Sequence, residues 1–130
     1  MNKTIFVTGL FFGLTAVLLG AFGAHGLEKM LDATAIGTFE TGVKYQMYHA
    51  LFLMILGGFN LLAEERKRLV YYFIVAGIVF FSFSIYLLAT NALTSFDFKK
   101  IALLTPIGGL LLVTGWILLG IRVLNQSPSN

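Results

Sequence analysis

The sequence predicts an all-α polytopic membrane protein, a four-transmembrane-helix bundle forming a single domain over residues 1–130. Three observations predict it. First, 58% of the residues are hydrophobic and only 12% are charged, where soluble domains carry about 25% charged residues. A chain this short cannot fold that much apolar surface away from water. Second, four apolar runs recur, each with about the 20 residues a helix needs to cross roughly 30 Å of hydrocarbon. Third, no run alternates as a membrane β-strand does. Lipid offers no water to backbone groups, so such runs must be helical.

The first span covers residues 4–24. It follows Lys3 and ends in small residues, as a signal peptide does. It is longer than a typical signal core, however, and reads as a retained span. Residues 25–42 form the longest connection. Leu27, Met30 and Leu31 lie there at helical spacing among Glu28, Lys29 and Asp32, which suits a short interfacial helix. Asp32 or Thr34 is placed to cap the second long helix. The second span covers residues 43–63. Glu64, Glu65, Arg66, Lys67 and Arg68 read as the loop to the third span, residues 69–90, with Tyr71 and Tyr72 at headgroup depth. Residues 91–100 lead to the fourth span, 101–121, where Pro106 marks either a kink or a late helix start. The tail, residues 125–130, is polar.

Charge sets the expected orientation. Lys3, Arg66, Lys67, Arg68 and Arg122 fall on one side with both termini. Lys29, Lys44, Lys99 and Lys100 fall on the other. The tight basic triplet favours its side being cytoplasmic. The expected localisation is therefore the cytoplasmic (inner) membrane, with both termini inside. The net charge of +3 is topological. No basic stripe with interleaved aromatics occurs, which excludes nucleic-acid binding. There is no cysteine, so thiolate chemistry and disulfides are excluded.

Small residues draw membrane helices together, because lipid supplies no hydrophobic drive for association. Gly9, Gly13, Ala16, Gly20 and Ala24 make a stripe on the first span. Thr105, Gly108, Gly109, Gly115 and Gly120 do so on the fourth. Packing within the bundle and a dimer interface both use such stripes.

The polar residues concentrate at one end of the spans. Glu40 and Lys44 stand four apart in the favourable order for a helical ion pair. Tyr45, Gln46, Tyr48 and His49 continue that polar face. His25 ends the first span, where it also reads as a dipole-favouring residue before the Gly26 cap. Ser82 and Tyr86 on the third span, and Thr105 on the fourth, belong to the same membrane half. Together these residues define a candidate polar cavity opening opposite the termini. His25 and His49 are expected toward the same membrane surface, with His49 one to two turns deeper, and His49 alone also reads as an interhelical hydrogen-bonding group. Two histidines without a third or fourth ligand do not make a metal site. No catalytic residue, metal or cofactor is assigned, since no HExxH, Ser–His–Asp arrangement or phosphate loop occurs.

Four segments carry a family resemblance. They are Gly20 to Leu27, Phe39 to Leu51, Phe81 to Tyr86, and Thr105 to Gly109 followed by Gly115 and Trp116. In order and over nearly the whole chain, they resemble the signatures of the domain of unknown function 423 family. More distantly, the chain is similar to the transmembrane protein 256 family. The resemblance implies a bacterial inner-membrane protein with four helices, and no activity. Phe83 stands where that family usually has Gly, and is expected to crowd a helix contact.

Three functional classes follow, and the sequence leans away from an enzyme. The first is a structural or accessory protein, homo-oligomeric or bound to a membrane-protein partner within the lipid bilayer. The second is a small-solute or proton-coupled transporter that uses the polar cavity. The third is a haem- or quinone-binding protein.

Overall fold

The computed structural model describes residues 1–95, 97 and 101–127. Lys99, Lys100 and Pro128 lie outside the described residues. Helix α1 spans Lys3–His25, α2 Ala33–Gly58, α3 Glu64–Ile78, α4 Ser84–Ala89 and α5 Leu104–Leu124. A π-helical turn, Val79–Phe83, joins α3 to α4 into one rod. Short 3-10 turns lie at Leu27–Lys29 and Asn91–Leu93.

Local chemistry explains the helix starts. The Asn2 side-chain oxygen accepts the Ile5 N–H at 3.1 Å and caps α1. Asp32 accepts the Ala35 N–H at 2.8 Å and caps α2. Of the two caps considered, the structure therefore uses Asp32, and α2 begins ten residues before the apolar run does. The basic triplet is likewise no loop. It lies in the first turns of α3, and the connection is the shorter segment 59–63. Pro106 lies in the first turn of α5, where its missing N–H costs nothing.

Helices α1 and α2 run antiparallel in close contact. A Cβ on Gly9 would meet the Ala50 carbonyl at 2.7 Å, one on Gly20 would meet Val43 at 3.4 Å, and one on Gly23 would meet the Phe39 ring at 2.9 Å. Gly13 lies over Ala50 at 3.7 Å. The stripe on α1 thus faces α2 from Gly9 to Gly20, but at its far end Ala24 is exposed and Gly23 takes the contact instead. On the other flank, α5 lies against the α3–α4 rod. Gly115 receives Ile74, Gly77 receives Leu112, and a Cβ on Gly108 would collide with the backbone of Phe80 and Phe81. Gly109 sits 3.8 Å from the Phe81 ring, and Gly120 meets nothing within 4 Å. The core forms where α2 meets the rod, from Ala50, Leu53, Leu56, Val70, Ile74 and Ile78, with Phe12 and Leu112 at its edges.

Three segments are long and apolar enough to cross a membrane: Lys3–Lys29, Glu64–Ala89 and Leu104–Leu124. The expected second span is not among them. Helix α2 has the length, at 26 residues, but Glu40, Lys44, Gln46 and His49 dilute its apolar character. Phe83 is exposed and lines a groove with Phe11, Thr15, Leu18 and Leu19 of α1, with its ring 5.9 Å from that of Tyr86.

Candidate functional site

The residues of the candidate cavity separate into two groups. Glu40, Lys44, Tyr45 and Tyr48 are exposed, and so is His25. Gln46, His49 and Ser82 are buried, as is Ser84 beside them, and Tyr86 and Thr105 are half-buried with this second group. Glu40 and Lys44 form no ion pair. Among the described residues, the ion pair within 4 Å is Lys67 with Glu64, at 2.8 Å. The Glu40 and Lys44 side chains are both exposed, and an exposed pair gains little from contact.

The two histidines are also far apart. Gly13 lies over Ala50, so His49 sits level with the middle of α1. His25 is 12 residues further along that helix, roughly 18 Å at 1.5 Å per residue. The shared surface expected for them does not form, because α2 starts so early that His49 lies more than four turns inside it.

The buried groups bond to one another. The Gln46 amide donates to the Phe12 carbonyl at 2.9 Å and to the Thr15 hydroxyl at 2.8 Å. Its oxygen accepts the Tyr86 hydroxyl at 2.6 Å. One side chain thereby ties α1, α2 and α4. Ser82 donates to the Gly42 carbonyl at 2.8 Å, and Ser84 shares a hydrogen bond with Thr105 at 2.6 Å. His49 Nδ1–H donates to the Tyr45 carbonyl at 2.7 Å. That leaves Nε2 as an acceptor, and it takes the Trp116 indole N–H at 2.9 Å. The ring is therefore neutral, with both nitrogens engaged. Among the described residues, no buried side-chain polar atom lacks a partner, as a low-dielectric interior demands.

Ser82 and Ser84 lie at the end of the π turn and face different neighbours. Residues two apart on a helix point roughly 200° from each other, and Ser82 faces α2 while Ser84 faces α5, both buried. Wide turns of this kind often mark functional positions. Beside it, Tyr45, His49, Phe81 and Trp116 line a groove of about 250 Å³ between α2 and α5. Tyr45 stacks near His49 with rings 16° from parallel. Trp116 sets its edge against Phe52 at 4.7 Å.

A second polar cluster closes the end that holds the termini. The Asn2 backbone N–H donates to the Gly57 carbonyl at 2.7 Å, and its side-chain amide donates to Glu64 at 2.8 Å. Lys67 is fully buried, bonded to Glu64 at 2.8 Å and to the Phe59 carbonyl at 3.1 Å. Arg66 donates to the Arg122 carbonyl at 3.1 Å, and Arg122 returns the bond to the Arg66 carbonyl at 2.5 Å. Gln126 clasps the backbone of Leu61 and Ala63.

Sequence reasoning singled out neither Thr15, Trp116 as a partner, nor this clasp. A signal for Lys67 was present. It shares a spacing of three, four and four with Val70, Ile74 and Ile78, the buried face of the rod.

Comparisons with known proteins agree in kind. Residues 19–109 match the family described as protein of unknown function (DUF423). The chain is 39% identical to a UPF0382 membrane protein of Staphylococcus saprophyticus, covering 90% of this chain and 93% of that one. It is 34% identical to the UPF0382 membrane protein YwdK of Bacillus subtilis, over 90% and 93%. It is 36% identical to the UPF0382 inner membrane protein YgdD of Escherichia coli, over 82% and 79%. No solved structure matches significantly.

Proposed function

The chain belongs to the DUF423 family of bacterial membrane proteins, and from that premise we propose a four-span accessory protein of the cytoplasmic membrane that docks a partner through its outer helical faces. Helix α2 is the fourth span in this reading. It lies antiparallel along the whole of α1, from Gly57 beside Phe6 to Phe39 beside Gly23, so a membrane that holds α1 encloses α2 as well. Its polar side chains are either at the edge or bonded inward. Both termini lie in the cytoplasm, on the side of Arg66, Lys67, Arg68 and Arg122. Reporter fusions to each loop test the topology, and a cytoplasmic signal from the Leu27–Lys29 turn overturns it.

One observation carries the accessory reading. Among the described residues, every buried polar side chain of the bundle is engaged within it, which leaves none of them to hand a solute or a proton along a path. Conserving those bonds keeps the helices together, and the exchange with other molecules falls to the surface. In-membrane photocrosslinking from exposed positions on α1 and α5, followed by native mass spectrometry, tests this. A second copy or a defined partner is the expected result. Monomer alone at every position overturns it.

A second reading, a quinone-type aromatic ligand, is favoured by the groove beside Trp116. Axial ligation of haem by His49 would first have to give up the Trp116 bond. Trp116 is the single tryptophan of the chain, so its fluorescence reports occupancy directly. Absence of saturable quenching by a short-tailed quinone removes this reading.

A further inference from the structure

Two acid–base pairs with the same spacing begin α3, and they behave differently. Glu64 and Lys67 are bonded at 2.8 Å. Glu65 and Arg68, one residue on, are exposed, and among the described residues their side chains form no hydrogen bond or ion pair. They line a groove of about 460 Å³ between the first turns of α1 and α3, together with Asn2, Thr4 and Tyr72. Tyr72 is 57% exposed, although its neighbour Tyr71 is tied to Thr8 at 3.0 Å.

Glu65, Arg68 and Tyr72 lie on one face of the helix and descend it in that order. At 1.5 Å per residue the steps are roughly 4.5 and 6 Å along the axis. From water towards hydrocarbon the face therefore presents an acid, a guanidinium and an interfacial aromatic. We infer that this groove binds the headgroup of an aminophospholipid, with its primary ammonium on Glu65, its phosphate on Arg68 and its glycerol region against Tyr72.

The chemistry selects that class. A guanidinium fork matches phosphate oxygens, and Tyr settles at the membrane–water interface. A primary ammonium supplies three N–H donors for the Glu65 carboxylate. A trimethylammonium has none. An anionic headgroup without a cation would be drawn by a purely basic patch, but here it would leave Glu65 facing a phosphate unpaired. Glu64 also lines the groove, but Lys67 and Asn2 already engage its carboxylate, so it does not compete for the ligand.

Lipid titration of the purified full chain in mild detergent, read by native mass spectrometry, tests the assignment. The probes are phosphatidylethanolamine, phosphatidylcholine and phosphatidylglycerol with identical acyl chains. Phosphatidylethanolamine is expected to bind about tenfold more tightly than the other two, the effect of one charge-assisted contact. Glu65→Gln is expected to lower phosphatidylethanolamine to the level of phosphatidylcholine. Arg68→Gln is expected to weaken all three. Equal binding of the three lipids by the unmodified protein overturns the proposal, and so does a headgroup preference that survives Glu65→Gln. Both side chains are exposed, and the comparison of headgroups on the unmodified protein decides the matter without either variant.

Discussion

The two polar clusters of this bundle solve the same problem with different chemistry. In the middle, Gln46 joins α1, α2 and α4 through neutral hydrogen bonds. At the end that holds the termini, Asn2, Glu64, Lys67, Arg66 and Arg122 do the joining, largely with charged groups. The difference follows the solvent. A charge in hydrocarbon must be neutralised or reach water, whereas an amide can be satisfied by three well-placed neighbours. Lys67 lies between these cases. It is buried, but its ammonium reaches Glu64, whose side chain is half exposed.

That contrast can be broken most severely at Lys67. Lys67→Glu would bury a carboxylate beside the Phe59 carbonyl and Glu64. It should destabilise the fold by about 3–5 kcal/mol, the usual effect of an uncompensated buried charge, read as loss of monodisperse protein in detergent. Gln46→Leu should cost about 2 kcal/mol in denaturant titration, because three interhelical bonds go and such bonds in membranes are worth about 0.6 kcal/mol on average, with stranded partners adding to that. Trp116→Phe keeps the aromatic edge against Phe52 but removes the donor to His49. A loss of about 1 kcal/mol is expected, with a change in the imidazole nitrogen shifts by NMR. Glu64→Gln keeps an acceptor for the buried Lys67 ammonium but removes its counter-charge, and should cost about 1 kcal/mol, with the half-exposed carboxylate making the effect smaller at high salt. If Glu64→Gln outweighed Gln46→Leu, the division between a neutral middle and a charged end would be wrong.

The helices that are apolar all round were the most legible in sequence. Helices α1 and α5 fall within a few residues of the expected 4–24 and 101–121. Helix α2 was legible only in its second half, since its polar start hides a helical backbone capped at Asp32. Of the site, Gln46, His49, Ser82 and Tyr86 were recognisable as groups that lipid would not tolerate. Their partners were not, because Thr15, the Phe12 carbonyl and Trp116 become neighbours only through helix packing. Three successive basic residues look alike in a sequence. Only the helical rotation of about 100° per residue turns Lys67 inward while Arg68 stays out.

The π turn between α3 and α4 governs how the rod tolerates a change of length. A wide turn is how a helix absorbs an inserted residue without rotating everything after it. Deleting one residue within Val79–Phe83 would let the rod close as a regular α-helix. The segment Ser84–Ala89 would then keep its rotation relative to α3, with Tyr86 still towards Gln46 and Ser84 still towards Thr105. A single-codon deletion in that stretch is therefore expected to leave α4 docked on both of its neighbours.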